Sequence, residues 1–312
     1  MARALVTGAS GFVGANLARR LLADGHDVHL LLRPGHAPWR VADLAGHAEI
    51  HPGDLADADS VAAVFRAAKP EQVFHLAAHG AYSWQQDPAA MIAGNVTGTM
   101  NLARTAVASG VSVMVNTGSS SEYGLKDHAP SENETLEPNS AYAVTKAAGT
   151  HFCRLTARAE GVPIPTLRLY SVYGSWEEPG RLMPDLLRAA LTGVWPPLAN
   201  PDTARDFVFV DDVCDAFILA AAGHPSDPGA IWNVGSGRQT TLREIVAVTR
   251  ELLSVSVNPV WETMPGRSWD TTIWVSDPRK IERELGWRAT TTLHDGLAAT
   301  AAWLEKHPLP TR

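Results

Sequence analysis

The stretch Ala4-Leu5-Val6-Thr7-Gly8-Ala9-Ser10-Gly11-Phe12-Val13-Gly14, near the start of the chain, decides the fold. An apolar strand runs straight into Gly8, Gly11 and Gly14, and a helical pattern follows that ends near Asp24. A glycine turn between a strand and a helix leaves backbone N–H groups and the positive helix end facing outward, where a pyrophosphate can bind. The spacing Gly-x-x-Gly-x-x-Gly differs from the commoner Gly-x-Gly-x-x-Gly fingerprint. A purely structural tight turn is therefore the alternative interpretation.

Apolar strands alternate with amphipathic helices through the first half of the chain, a pattern typical of a doubly wound parallel sheet. The strands are predicted over residues 27–32, 49–51, 72–76, 112–116 and 164–169. The helices are predicted over residues 17–23, 59–68, 91–108 and 141–159. The predicted fold class is therefore α/β, a doubly wound parallel Rossmann sheet with a smaller C-terminal α/β substrate-binding lobe.

The alternation loosens after Tyr170, where Pro and Trp become more frequent. We therefore predict a dinucleotide-binding domain over residues 1–169 and a smaller lobe over residues 170–312. Such a lobe would lie over the carboxyl ends of the strands, where sheets of this kind bind ligands. The segment 205–222, a strand followed by a helix, is predicted to return to the main sheet.

Composition favours a cytoplasmic enzyme of 312 residues. A formal net charge of −7 argues against a nucleic-acid partner. No apolar run approaches the ~20 residues that span a bilayer, and the first strand is too short for a signal peptide. Cys153 and Cys214 are isolated and lack metal-ligand spacing, so we expect two reduced thiols and no metal site.

Tyr142 and Lys146 lie four residues apart in Ser-Ala-Tyr-Ala-Val-Thr-Lys, a spacing that puts both side chains on one face of a helix. A nearby ammonium favours the phenolate, which predicts a tyrosine that titrates below its usual value near ~10. Such a group suits proton transfer at a carbinol when another group moves the hydride. Chance juxtaposition on an amphipathic helix is the alternative.

Eight motifs together resemble the extended short-chain dehydrogenase/reductase family, in the branch that modifies nucleotide-activated sugars. The resemblance covers about residues 5–287. Its motifs are Thr7-Gly8-Ala9-Ser10-Gly11-Phe12-Val13-Gly14, Gly53-Asp54-Leu55, His75-Leu76-Ala77-Ala78, Asn95-Val96-Thr97-Gly98-Thr99, Thr117-Gly118-Ser119-Ser120-Ser121-Glu122-Tyr123-Gly124, the Tyr142/Lys146 pair, Arg205-Asp206-Phe207 and Asn233-Val234-Gly235-Ser236-Gly237.

The resemblance implies three catalytic residues. Tyr142 would be the general acid or base, Ser119 would hydrogen-bond the same substrate oxygen, and Lys146 would hold the nicotinamide ribose and lower the pKa of the tyrosine. Ser119 has an alternative role, because a serine at a strand end can cap the following turn.

The resemblance also implies a binding site for a nicotinamide dinucleotide. Its residues would be Gly8, Ser10, Gly11, Phe12, Val13, Gly14, Arg33, Asp54, Leu55, Leu76, Ala77, Ala78, Asn95, Thr117, Tyr142 and Lys146. Asp54 could instead be an ordinary loop residue that closes an Asx turn, and His75 is expected to be a core histidine.

Arg33 bears on which dinucleotide binds. NAD enzymes usually carry an acidic residue after the second strand, whereas this strand runs into Arg33-Pro34-Gly35 with no carboxylate nearby. A cation there can accept a 2′-phosphate, which favours NADP(H). The alternative is NAD(H), with Arg33 stacked on the adenine.

The reaction type is open among the chemistries that this scaffold serves. Dehydratases of the family carry an acid two places before the tyrosine of the Tyr-Gly motif, where this chain has Ser121, preceded by Ser120. We therefore predict NADPH-dependent reduction of the 4-keto group of a nucleotide-linked 4-keto-6-deoxysugar. A NAD-dependent nucleotide-sugar 4-epimerase is the alternative, followed by a 4,6-dehydratase and then a non-catalytic NADP sensor.

The resemblance implies a nucleotide-diphosphate sugar as substrate and a homodimer as the assembly. The predicted substrate contacts are His79, Ser83, Ser120, Ser171, Arg205, Arg267 and Asp270. Ser171 stands where relatives usually have Asn, and each arginine could instead form a surface ion pair. The dimer would pack the helix of the Tyr142/Lys146 pair and the helix before it against their copies.

Overall fold

Seven parallel strands form the central sheet of the computed structural model, which describes residues 1–82, 84–223, 225–264 and 271–307. These strands are β1 (Arg3–Thr7), β2 (Asp27–Leu32), β3 (Glu49–Pro52), β4 (Gln72–His75), β5 (Val113–Ser119), β6 (Thr166–Leu169) and β10 (Ile231–Val234). Their order across the sheet is β10-β6-β5-β4-β1-β2-β3, and every neighbouring pair is parallel. The predicted doubly wound fold class is confirmed.

The strand order reverses between β1 and β4, and this reversal positions the functional site. Strand β1 is flanked by β2 on one side and by β4 on the other. The chain therefore crosses to the opposite side of β1 after β3. The loops that follow β1 and β4 therefore flank a crevice at the carboxyl ends of the strands, where open α/β sheets bind ligands.

Helices cover both faces of the sheet, as buried parallel strands require. The helices are α1 (Phe12–Ala23), α2 (Ala58–Ala68), α3 (Pro88–Met91), α4 (Thr99–Ala108), α5 (Ala141–Glu160), α6 (Leu182–Thr192), α7 (Val210–Ala222), α8 (Leu242–Leu252), α9 (Arg279–Leu285) and α10 (Leu293–Lys306). Apolar residues of α1 and α7 pack on one face of the sheet, and those of α2, α4 and α5 pack on the other.

A π-helical segment, Ile92–Gly98, joins α3 to α4. Such segments are rare and occur mostly as local widenings of helices at functional sites. Here the segment contains Asn95, whose side chain contacts the loop after β4.

The second half of the chain adds a lobe with short strands of its own. These are β7 (Ser171–Tyr173), β8 (Ala204–Arg205), β9 (Phe207–Phe209) and β11 (Thr240–Thr241), which pair as β7 with β9 and β8 with β11. Apolar residues from α6, α8 and α10 form the core of this lobe.

The segment 205–222 returns to the main domain only through its helix. Strand β9 pairs with β7 outside the central sheet, whereas α7 packs against α1 and lies over β5 and β6. The seventh strand of the sheet is instead β10, which pairs with β6 and buries Trp232 completely.

Among the described residues, no helix has both the length and the apolar character needed to cross a membrane.

Candidate active site

The glycine turn after β1 is fixed by close backbone contacts. Gly8 has a φ of +75°, and a Cβ at this position would lie 2.4 Å from the backbone nitrogen of Ala77. A Cβ on Gly14 would lie 2.3 Å from the carbonyl oxygen of Gly8. Both positions therefore require glycine, because any side chain would push the turn away from β4 or from α1.

The N-terminus of α1 has no side-chain cap. Gly11 is the N-cap residue and cannot supply one, so the first N–H groups of the helix face the crevice. Leu76 and Ala77 line the other side of this turn, and Ala78 beyond them is exposed. An uncapped helix N-terminus next to a close glycine turn fits the pyrophosphate of a dinucleotide.

Arg40 connects the glycine turn to the lobe by hydrogen bonds. No sequence motif around Arg40 predicts this role. The side chain is 3% exposed. Its guanidinium donates to the carbonyl oxygen of Ser10 at 3.3 Å, to that of Trp176 at 2.7 Å and to the carboxylate of Glu178 at 2.7 Å. The cofactor side of the crevice is thereby connected to the segment that follows β7.

The three residues predicted to be catalytic come together where β5 ends and α5 begins. Ser119 is the last residue of β5, and Tyr142 lies in the first turn of α5, whose N-cap is Ser140. Lys146 lies one turn further, is 5% exposed, and donates a hydrogen bond to the carbonyl oxygen of Thr117. Ser119 also caps the short helix Ser120–Tyr123, so its predicted alternative role is present as well.

The pKa of Tyr142 is raised to about 12 in the protein chain by itself. Burial is the main cause and the charge of Glu122 adds to it, while a hydrogen bond with Ser119 acts in the opposite direction. Burial also lowers the pKa of Lys146, against the stabilising charge of Glu122. The prediction of a lowered tyrosine pKa is therefore wrong for the protein chain, because desolvation outweighs the opposing effects of the Ser119 hydrogen bond and of the Arg181 charge.

A buried ion pair lies directly behind Ser119. Glu122 is 0% exposed and accepts hydrogen bonds from the backbone N–H of Ser119 at 2.8 Å and from the Thr150 hydroxyl at 3.0 Å. Its other oxygen accepts from the Arg168 guanidinium at 2.8 Å. Arg168 also donates to the hydroxyl of Tyr123 at 2.9 Å. Glu122 therefore holds the catalytic strand end and cannot act as a free acid in the crevice.

Asn95 clamps the loop after β4 to the helix of Tyr142. Its carbonyl oxygen accepts from the backbone N–H of His79, and its amide donates to the His79 carbonyl oxygen and to the Thr145 hydroxyl. The side chain is 2% exposed. Because these bonds occupy the side-chain amide of Asn95, we infer that Asn95 positions the loop after β4 next to the cofactor site. Sequence reasoning missed this role and named only a cofactor contact.

His75 is a core histidine, as expected. Its two ring nitrogens lie 2.7 Å from the hydroxyl of Thr7 and 2.9 Å from that of Thr99. Burial, assisted by the charge of Lys146, lowers its pKa to about 3, so the ring stays neutral.

Comparison with known proteins identifies the family of this chain. Residues 4–235 match the family described as the NAD dependent epimerase/dehydratase family. The chain belongs to this family. It is similar to the UDP-glucose 4-epimerase of Mycolicibacterium smegmatis, with 34% identity over 96% of this chain and 97% of that protein. It is also similar to the dTDP-glucose 4,6-dehydratase of Streptomyces griseus, with 30% identity over 97% of this chain and 94% of that protein.

A solved structure of the same family shows the cofactor of a relative. The UDP-glucose 4-epimerase of Thermus thermophilus, in complex with NAD, matches the chain with a TM-score of 0.86 and 27% identity. The match covers 98% of this chain and 99% of the relative. The chain is therefore an enzyme of the NAD dependent epimerase/dehydratase family, as the sequence motifs implied.

Three residues were predicted to contact the adenosine part of the cofactor, and the structure describes the surroundings of each. Arg33 follows the end of β2 and is exposed. The Asp54 side chain accepts from the backbone N–H of Ala56 at 2.9 Å, which is the Asx turn of the alternative interpretation. Leu55 is buried, and Gly98 lies so close that a Cβ there would be 2.9 Å from it.

The predicted substrate contacts lie around the crevice and in the lobe. His79 and Ser171 are half-buried, and Ser120 is buried. The Arg205 guanidinium donates to the carbonyl oxygens of Ala204 and Thr271 and lies 5.3 Å from the Trp274 ring centroid. Three further predicted contacts, Ser83, Arg267 and Asp270, lie outside the described residues.

Glu177 and Arg181, which follow β7, form a pair that was not predicted from the sequence. Glu177 follows β7, is 6% exposed, and lies 3.9 Å from the Nε of Arg181. Burial raises the pKa of Glu177 to about 8. The Arg181 guanidinium lies 5.9 Å from the ring centroid of Tyr82, which stacks on Trp84 at 4.6 Å. No motif marks Glu177 and Arg181, since only the turn after β7 brings them to the crevice, whereas Tyr82 and Trp84 lie in the loop after β4.

Proposed function

We propose that the protein is a nucleotide-sugar 4-epimerase that uses a nicotinamide dinucleotide. The observation that carries the proposal is the grouping of Ser119, Tyr142 and Lys146 beside the glycine turn. The similarity to a UDP-glucose 4-epimerase over 96% of the chain supports the epimerase over the reductase that we predicted from sequence.

The burial and pairing of Glu122 argue against a dehydratase. Elimination of water needs a carboxylic acid that reaches the sugar, and Ser120 and Ser121 occupy the positions where dehydratases of the family carry it. The neighbouring carboxylate of Glu122 is fully buried and is paired with Arg168. We therefore give the epimerase precedence although a dehydratase is also a relative at 30% identity.

In the proposed reaction Tyr142 accepts the proton of the sugar C4 hydroxyl and later returns it to the ketone oxygen on the opposite face. The bound dinucleotide supplies reversible hydride transfer at C4. Ser119 donates a hydrogen bond to the same oxygen and orients it, while the buried ammonium of Lys146 favours the tyrosinate over the phenol. The proton and the hydride are both returned, so the reaction needs no external reductant.

The charges around the Tyr142 hydroxyl are expected to set its pKa and therefore its ability to act as a base. Burial raises its pKa to about 12, which leaves little tyrosinate at neutral pH. Lys146 lies four residues further along α5, and its ammonium donates a hydrogen bond to the carbonyl oxygen of Thr117. A bound cofactor that presents positive charge here would favour proton release in the same way.

We infer a UDP-linked hexose as the substrate class, because the curated relative acts on UDP-glucose. Arg205 is the described residue best suited to the diphosphate, since a guanidinium offers a fixed fork of donors. Arg267 and Asp270 stay predictions for the diphosphate and the nucleotide ribose.

NADPH-dependent reduction of a nucleotide-linked 4-ketosugar is the second candidate function. Arg33 favours it, since the chain has a cation and no carboxylate directly after β2. A cation at this place suits the 2′-phosphate of NADP(H), whereas epimerases in the family retain and recycle NAD.

One experiment separates the two functions. The purified protein, with its co-purified dinucleotide identified by mass spectrometry, is incubated with UDP-glucose or dTDP-glucose and no added cofactor. An epimerase forms the C4 epimer to an equilibrium mixture, visible by NMR, and consumes no NAD(P)H. Stoichiometric oxidation of added NADPH by a nucleotide 4-keto-6-deoxysugar, with no epimer formed, would reverse the order of the two proposals.

We also propose that the enzyme is a homodimer. Helix α4 packs against α5, and the outer surface of this region exposes Ile92, Val144 and Leu155 at 53%, 51% and 65%. A second copy of the chain would cover these apolar side chains.

A further inference from the structure

Two histidines and a glutamate converge at the edge of the central sheet, far along the sheet from the active site. His29 lies on β2, and Glu49 and His51 lie on the edge strand β3. His29 pairs in register with Glu49, and His51 with Leu31, so alternation puts all three side chains on one face. The catalytic strand β5 is separated from β2 by β1 and β4.

The donor atoms of the three side chains point at a common centre. Nδ1 of His29 lies 2.8 Å from Nε2 of His51. Glu49 places its two carboxylate oxygens 3.7 Å from the former nitrogen and 3.6 Å from the latter. Donor atoms that share a tetrahedral Zn²⁺ at ~2.0–2.1 Å lie roughly 3.3 Å apart, so small side-chain rotations suffice.

We propose that His29, Glu49 and His51 form a binding site for a divalent transition-metal ion of the Zn²⁺ class. Two imidazoles and one carboxylate are a donor set that such ions prefer. The Glu49 side chain is 64% exposed, whereas both imidazoles are almost buried. An ion could therefore enter from the side of Glu49 and keep a water molecule as its fourth ligand.

A fourth residue supports the site from behind. Among the described residues, the buried Nε2 of His29 has no hydrogen-bond partner, and it lies 3.4 Å from the carboxylate of Asp27. Metal-bound histidines commonly donate their second N–H to a carboxylate, which fixes the tautomer and leaves the first nitrogen free for the metal. Asp27 is placed for this positioning role.

The expected consequence of binding is a cross-link between β2 and β3. These strands bound the segment 33–48, which contains Arg33 and the buried Arg40 that contacts the glycine turn. The metal would therefore stabilise the cofactor side of the crevice without touching the reacting atoms. No linear motif marks this site, because only the pairing of β2 with β3 brings His29 and His51 together.

The test is a metal titration of the full chain. The protein is freed of metal with EDTA and titrated with ZnCl₂ by isothermal calorimetry, with thermal unfolding measured in parallel. We expect one Zn²⁺ per chain and a higher unfolding temperature in the presence of Zn²⁺, since the ion binds the folded state. His51→Gln should weaken Zn²⁺ binding by more than about 100-fold, and Glu49→Gln by about 10-fold or more.

His128→Gln is the matched control. His128 is exposed and lies between the carboxylates of Asp127 and Glu134, at 2.7 and 2.9 Å, so it tests for casual chelation by a surface imidazole. This variant should bind Zn²⁺ like the natural chain. Because Glu49 is exposed, Glu49→Gln remains informative even if His51→Gln fails to fold. The proposal is overturned if no stoichiometric site is found, or if Glu49→Gln binds Zn²⁺ as tightly as the natural chain.

Discussion

The carboxylate of Glu122 and the guanidinium of Arg168 form an ion pair at 2.8 Å, with 0% and 1% of their side chains exposed. The other oxygen of Glu122 accepts the backbone N–H of Ser119. The pair therefore connects the interior of the sheet to the strand end that presents the catalytic hydroxyl. Two charges in the interior are tolerable here because each is neutralised and hydrogen-bonded.

Glu122→Ala should lower the free energy of unfolding by about 3–5 kcal/mol, because it leaves the buried Arg168 charge without a partner. Urea unfolding at pH 7 measures this loss. Glu137→Ala is the control: its carboxylate is 66% exposed and pairs with Lys126 on the surface, so removal should cost no more than about 1 kcal/mol. Equal effects of the two substitutions would contradict a structural role for the buried pair.

The sequence predicted the parts of this molecule that local patterns encode. The glycine turn, the strands through β6 and the helix of Tyr142 and Lys146 follow from periodicity and turn residues within short windows. Strand β10 was missed because four residues, Ile231–Val234, carry too little pattern to distinguish a central strand from a loop.

The network behind the active site could not be predicted, because its partners are far apart in sequence. Arg168 reaches Glu122 across 46 residues, and Arg40 reaches Trp176 across 136. The raised pKa of Tyr142 was missed for a related reason: helical spacing reveals the neighbouring Lys146 but gives no measure of burial.

Tyr142→Phe should reduce turnover by about 100- to 10,000-fold, because it removes the group that exchanges the proton with the sugar oxygen. Dinucleotide affinity, measured by fluorescence titration, should change by less than about threefold. Ser119→Ala should reduce turnover less, since it removes one hydrogen bond and keeps the proton donor. Retained turnover in Tyr142→Phe would refute the proton-transfer assignment.

Arg33→Ser should weaken NADP⁺ binding by about 10-fold and leave NAD⁺ binding within about twofold. A charge-assisted hydrogen bond to a 2′-phosphate contributes roughly 1.5–3 kcal/mol, and NAD⁺ offers no such phosphate. Parallel calorimetric titrations with both dinucleotides measure the ratio. Arg66→Ser, an exposed cation on α2, controls for the loss of one positive charge. A parallel loss for both dinucleotides would indicate stacking on the adenine instead.

Leu155→Glu should convert the proposed homodimer into a monomer, since a carboxylate would be buried against the second copy at low dielectric. Light scattering coupled to size exclusion measures the mass. Leu219→Glu is a suitable control, because Leu219 is an exposed apolar residue on α7, outside the proposed interface. A natural chain that is monomeric at micromolar concentration would already contradict the dimer.

Glu177→Gln should change how the stability of the protein depends on pH. Burial raises the pKa of Glu177 from 4.5 to about 8, so the folded state binds its proton more tightly than the unfolded state does. The resulting stabilisation is complete below about pH 4.5 and is lost as the pH rises to about 8. Gln mimics the protonated acid, so the variant should stay within about 1 kcal/mol of the natural chain at pH 5 and exceed it above pH 8 by up to about 5 kcal/mol.

Urea unfolding at pH 5, 7 and 9 measures this difference between Glu177→Gln and the natural chain. Glu305→Gln, at an exposed position of α10, supplies the control and should leave the pH profile unchanged. Parallel profiles for the Glu177→Gln variant and the natural chain would mean that the Arg181 charge, 3.9 Å away, already neutralises the carboxylate in the folded state. In that case Glu177 would be ionised at neutral pH, and it would present a fixed negative charge to the crevice.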